Sequence, residues 1–269
     1  MSSIRAKADC RHQGFSLVEL SVVCAIMAVV IVMGLDGIAM FVNRTAYQTT
    51  QDKLVVIKKA LAKHRYVYGY LPCPANMGVN YTNSTYGKET RDGTGACNSS
   101  NALTNTLVGG AVTKDSILFG DVPVRDLELP LSYMKDGYND KLRYVVVSGF
   151  TSSDASTYTS TSNGIIIRTG QLESTCSTVC QDIATAAYVV LSFGADKRGA
   201  VNGPPCAMGN YYAMIDSANC QFNAGSAPSY SITSPTILPG IFYDSRYNAG
   251  TNTVSHDDDV IIWQTKGQL

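Results

Sequence analysis

From Phe15 to Leu35 the chain runs twenty-one residues with one charge, Glu19. As a helix rising ~1.5 Å per residue, such a run covers about 30 Å, the thickness of a bilayer's hydrocarbon core. The segment constrains the fold before any other feature, because one end of the 269-residue chain must sit in apolar surroundings. The preceding residues, Met1 to Gly14, are polar and carry Arg5, Lys7 and Arg11 against Asp9. The positive-inside tendency keeps that leader cytoplasmic and places the C-terminal bulk outside. Hydrophobic residues make up 45% of the chain, too few for a multi-span membrane protein, so a single anchor is expected.

A conventional secretory signal would be cut after the apolar run, at small residues in an A-x-A-like pattern. The run ends Val32-Met33-Gly34-Leu35-Asp36-Gly37, which fits that pattern poorly. A plain anchor leaves Glu19 unexplained, since a carboxylate within a bilayer costs on the order of several kcal/mol and normally has a partner. Gly14-Phe15-Ser16-Leu17-Val18-Glu19-Leu20 resembles the processing motif of type IV prepilins and type II secretion pseudopilins. The resemblance implies cleavage between Gly14 and Phe15 by a prepilin peptidase, N-methylation of Phe15 and retention of the apolar helix. Glu19 would then be the fifth residue of the mature chain, where the family places a glutamate. It is expected to pair with the new Phe15 amine of its own or a neighbouring subunit during assembly.

Beyond the apolar run, Leu54, Ile57, Leu61 and Tyr68 form one stripe at helical spacing. Lys53, Lys58, Lys59, Lys63 and Arg65 flank it as a solvated basic face, and His64 reads as structural or exposed. Gly69 and Leu71-Pro72-Cys73-Pro74 end the helix. The chain then reads as loop to about Asp115. Strands are expected at Lys141–Phe150, Gly164–Arg168, Ala186–Phe193 and Asp259–Thr265. The fold class is α+β: a long N-terminal helix packed on an antiparallel β-sheet head with disulfide-linked loops. The resemblance implies the same pilin-like layout. The divisions are residues 1–14, a cleaved leader; 15–35, the membrane and assembly half of the helix; 36–68, its amphipathic half; and 69–269, the β-rich head. Asp136-Gly137-Tyr138-Asn139-Asp140 before Leu142-Arg143-Tyr144 is similar to the turn preceding a sheet strand in pseudopilins.

Cys10 falls in the leader and Cys24 in the apolar segment. Cys73, Cys97, Cys176, Cys180, Cys206 and Cys220 remain for the head, enough for three disulfides in an oxidising compartment. Pairing of sequence neighbours would give Cys73–Cys97, Cys176–Cys180 and Cys206–Cys220. Metal binding by Cys176 and Cys180 is the rival, but there is no second C-x-x-C and histidine is scarce. Asp257, Asp258 and Asp259 form either a solvated acidic turn or a Ca²⁺ site, for which some pseudopilins offer a precedent. No other cofactor is required.

Gly194-Ala195-Asp196-Lys197-Arg198-Gly199-Ala200 lacks the Gly-Lys-Ser/Thr ending of a phosphate loop. No Gly-x-Ser-x-Gly or His-Glu-x-x-His occurs, so catalysis is not expected. Residues 69–269 hold 12 basic and 17 acidic side chains, which argues against nucleic acid as a partner. The expected function is that of a structural subunit, a minor pilin or minor pseudopilin. The alternative is a tip binding or DNA-uptake subunit that recognises a ligand through its head. Implied partners are the prepilin peptidase, other pilin subunits, and an inner-membrane assembly platform with its ATPase. The expected location is the inner membrane, single-pass with a periplasmic head, and then the filament. Pilus, secretion pseudopilus and competence systems share this N-terminus.

Overall fold

The computed structural model describes residues 16–97, 102–103, 117–152, 165–169, 181–195, 241–243 and 259–269. One helix, α1, runs without a break from Leu17 to Tyr68. The chain forms two compact units, Met1–Arg44 and Thr45–Leu269, and their boundary falls within α1.

In the second unit α1 is amphipathic by position. Ala46, Thr50, Leu54, Ile57, Leu61 and His64 are buried at spacings of three and four, a single face of a 3.6-residue helix. Tyr68 is 56% exposed, so the expected stripe is corrected at its last member: His64 takes the inner position. A seven-residue step returns to within about 20° of the same face, so Tyr68 is exposed by its place as the last residue of the helix and not by its azimuth. The helix stops at Gly69, whose φ of +82° is the left-handed conformation of a helix C-cap. Its N–H donates to the Arg65 carbonyl at 2.8 Å. No atom would meet a Cβ there, so the backbone conformation alone selects glycine.

Among the described residues, seven strands form one sheet: β1 (Ala102–Leu103), β2 (Ile117–Asp121), β3 (Arg143–Val147), β4 (Ile165–Thr169), β5 (Gln181–Ser192), β6 (Ile241–Tyr243) and β7 (Val260–Thr265). Pairing runs β1-β2-β3-β5-β4-β6, with β7 also on β5. β5 is long enough to serve three neighbours. Val189 pairs with both Val145 of β3 and Trp263 of β7, while Ala186 pairs with both Ile165 of β4 and Thr265 of β7. β3 and β4 therefore share one edge of β5 end to end, and β7 takes the other. All pairings are antiparallel except β4 with β6. Apart from that pair the sheet is antiparallel, as expected.

β2, β3 and the stretch Ala186–Ser192 of β5 are buried at every position. Burial on both faces explains why Tyr144–Val147 and Ala186–Leu191 read as continuous apolar runs instead of alternating. Leu54, Ile57 and Leu61 of α1 join Val145, Val189, Val190 and Leu191 in the core. The segment Leu71–Ala75 is also buried, and the Tyr144 hydroxyl donates to the Pro72 carbonyl at 3.2 Å. The region read as loop thus contributes to the core, held by backbone bridges such as Ala75 to Asp121.

Candidate functional site

At the N-terminal end, Ser16-Leu17-Val18-Glu19 has the S-x-x-E spacing of a capping box. The Glu19 carboxylate reaches back and accepts the Ser16 N–H at 3.0 Å. Leu20 N–H donates to the Ser16 carbonyl at 3.1 Å, which closes the first turn. A carboxylate also suits the positive end of the helix dipole. Glu19 therefore has a local structural role, and its oxygen lies at the residue next to Phe15. Every side chain from Ser16 to Ile31 is exposed, including Leu17, Val18, Leu20, Ile26, Val30 and Ile31. Apolar exposure of that extent marks an interface with lipid or protein. Among the described residues no helix is long and apolar enough to cross a membrane. The capping spacing was legible in the sequence but went unread behind the processing motif.

In the second unit the loop Asp136–Asp140 is seated on α1. Asp136 Oδ1 accepts the backbone N–H groups of Tyr138 (2.8 Å) and Asp140 (2.9 Å). Its Oδ2 accepts the Ser192 hydroxyl of β5 at 2.6 Å, and burial pushes the carboxyl up. Gly137 N–H donates to Thr50 Oγ1 at 2.9 Å. A Cβ on Gly137 would lie 2.0 Å from the Ala46 carbonyl oxygen, so only glycine lets the loop approach the helix backbone. Lys53 Nζ donates to the carbonyls of Ser132 (3.1 Å), Lys135 (2.7 Å) and Asp136 (3.3 Å). Burial lowers its pKa, and Asp136 opposes that shift. Lys53 is thus withdrawn from the expected solvated basic face. Arg65 likewise lies over the Phe150 ring at 5.9 Å, half-buried.

A second polar centre was not anticipated. Asp121 and Arg143 are fully buried and paired at 2.5 Å, and Lys141 Nζ reaches the same carboxylate at 2.7 Å. β2 and β3 place Asp121 opposite Arg143 in register, which a single strand's sequence cannot reveal. Losing one partner would strand a buried charge, so the trio is a structural staple of the sheet.

Cys73 and Cys97 form a disulfide with Cα atoms 5.5 Å apart. Cys24 is a free, exposed cysteine. His64 is buried, with Nδ1 3.1 Å from the Tyr70 carbonyl oxygen. Gly14, Phe15, Cys10, Cys176, Cys180, Cys206, Cys220, Asp257 and Asp258 lie outside the described residues. Asp259 is buried just before β7. Among the described residues no group of three or more His, Cys, Asp or Glu could hold a metal ion.

The model of the prokaryotic N-terminal methylation motif matches residues 9–35. No curated protein and no solved structure matches the chain. The matched residues contain the expected cut site, Glu19 and the apolar run, and a helix-plus-sheet chain follows them. Residues 9–35 therefore carry the type IV prepilin and pseudopilin signal, and the helix-then-sheet order of elements is consistent with a pilin-like fold.

Proposed function

We propose that this chain is a minor structural subunit of a type IV pilus or type II secretion pseudopilus, cut after Gly14 and assembled through α1. The observation that carries the reading is the methylation motif at the head of a continuous 52-residue helix, with apolar side chains exposed from Leu17 to Ile31. A helix of that kind has two uses in sequence. Before assembly its apolar half resides in the inner membrane, with the head in the periplasm. In the filament, neighbouring helices replace lipid by van der Waals packing. Glu19, engaged with the Ser16 N–H one residue from Phe15, is within local reach of the amine that cleavage creates. The subunit is not an enzyme on this reading. Its partners are the peptidase, other subunits, and an assembly platform with its ATPase.

N-terminal mass spectrometry of the protein from cells tests the reading. A methylated Phe15 supports it, and an intact leader refutes it. Deletion followed by assays of motility, secretion and DNA uptake assigns the system served.

A further inference from the structure

Within the second unit, the charges of α1 from Thr45 to Tyr68 are unevenly engaged. Asp52 is the sole acidic residue of that stretch. Of its lysines, Lys53 holds the carbonyls of Ser132, Lys135 and Asp136, and Lys63 pairs with Glu128. Lys58 is half-buried on the flank of the helix. Lys59 and Asp52 are exposed, and neither engages another side chain among the described residues.

Asp52 and Lys59 stand seven residues apart. Seven residues fall about 20° short of two turns and rise ~10.5 Å, so both lie on one line of the helix. Val55 and Ala62 repeat that spacing beside them, and Tyr66, 91% exposed, lies seven residues beyond Lys59. The line runs opposite the buried face of Leu54, Ile57 and Leu61.

We propose that this line contacts a second copy of the chain, with the two helices parallel and offset by seven residues. The proposal rests on the assembly reading, because a shared membrane anchor is what makes two copies parallel. At equal height, as two copies stand in one bilayer, Asp52 faces Asp52 and Lys59 faces Lys59, and like charges repel. With one copy raised by ~10.5 Å, its Asp52 comes level with Lys59 of the lower copy. Its Val55 then meets the lower Ala62, and its Lys59 meets the ring of the lower Tyr66, a cation–π contact. The pattern thus disfavours pairing in the membrane plane and favours a neighbour that has been lifted. Each contact is weak by itself, so together they set the register and do not drive association. An offset contact is heterologous, so copies can keep adding without closing at a dimer.

Cysteine cross-linking of the full chain in cells tests the register, with Cys24→Ala as the parent. Chains carrying both Asp52→Cys and Lys59→Cys should give a ladder of disulfide-linked multimers in sheared filament fractions after mild oxidation. Either substitution alone should add nothing to the parent's pattern, because each position then meets an unchanged residue. Within one chain the two positions are ~10.5 Å apart, beyond the reach of an internal disulfide. Charge reversal gives a second readout in chains without added cysteines. Asp52→Lys and Lys59→Asp should each lower recovery in the filament fraction about fivefold, and the two combined should restore it. Both residues are exposed, so every variant should melt with the wild type. Dimers from a single-cysteine variant, with no ladder from the double one, would overturn the offset. So would reversals that leave recovery unchanged, or a combined variant no better than either single one. Methylated Phe15 and normal recovery of the wild-type chain separate those failures from failure of the assembly reading; an intact leader would overturn both.

Discussion

Gly137 shows how one residue joins two parts of the head. Its N–H bonds Thr50 on α1, and no room exists for a side chain between the loop and the Ala46 carbonyl. Gly137→Ala forces backbone against backbone, and an expected loss of about 3 kcal/mol should appear in chemical denaturation of the full chain. Asp136, beside it, has a pH signature. Burial raises its folded pKa above the ordinary 3.8, so protonation favours the folded state. The stability this confers is complete below the ordinary value and is lost as pH rises through the folded pKa. Asp136→Asn removes that titration. The variant should therefore gain stability relative to wild type as pH is raised from about 4 to 7, in melting curves recorded across that range. A constant difference across the range would mean that the carboxyl titrates alike in both states. The Asp-Gly turn was readable in the sequence, but the tie to Ser192, 56 residues away, was not.

At the scale of elements, α1 and the disulfide carry separate tasks. Ile57 is fully buried between helix and sheet, and Ile57→Ala should cost about 3 kcal/mol, measured as a lowered denaturation midpoint with unchanged slope. The same change at Val55, 45% exposed on the opposite face, should be nearly silent. The Cys73–Cys97 bond closes a 24-residue separation that anchors the Leu71–Ala75 segment beneath Tyr144. Loop-closure entropy assigns it roughly 3 kcal/mol, so Cys73→Ala with Cys97→Ala should lower stability by that order. Helix bounds and four strands were legible because 3.6-residue periodicity and β-branched runs are local signals. β2 escaped notice because Gly120 and Asp121 interrupt its apolar pattern, and both are explained by distant neighbours. Gly120 faces the Ala75 carbonyl, 2.3 Å from where a Cβ would sit, and Asp121 faces Arg143.

For the whole molecule, the zero formal net charge conceals a polarised chain. The leader and the second half of α1 are basic, while the head carries a net of −5. Cleavage at Gly14 would remove the leader's positive charges and add one amine beside Glu19. Glu19→Ala should leave the head folded, with an unchanged far-ultraviolet spectrum, and sharply reduce incorporation into filaments. Equal recovery of variant and wild type in sheared filament fractions would rule out its assembly role.

The sequence by itself determined the processing motif, the span of α1 and the fold class, because each depends on residues close together along the chain. A methylation motif, a hydrophobic run and a helix cap need no partner from elsewhere. Only the tertiary structure decided that His64, not Tyr68, faces the core, and that Lys53 serves the Asp136 loop instead of solvent. It also decided that Asp121 meets Arg143 in a dry interior. Those outcomes depend on strand register and on where a loop meets a helix. Both are fixed by packing across distances of up to some eighty residues, and pairing at that separation leaves no periodic mark on either partner's own sequence.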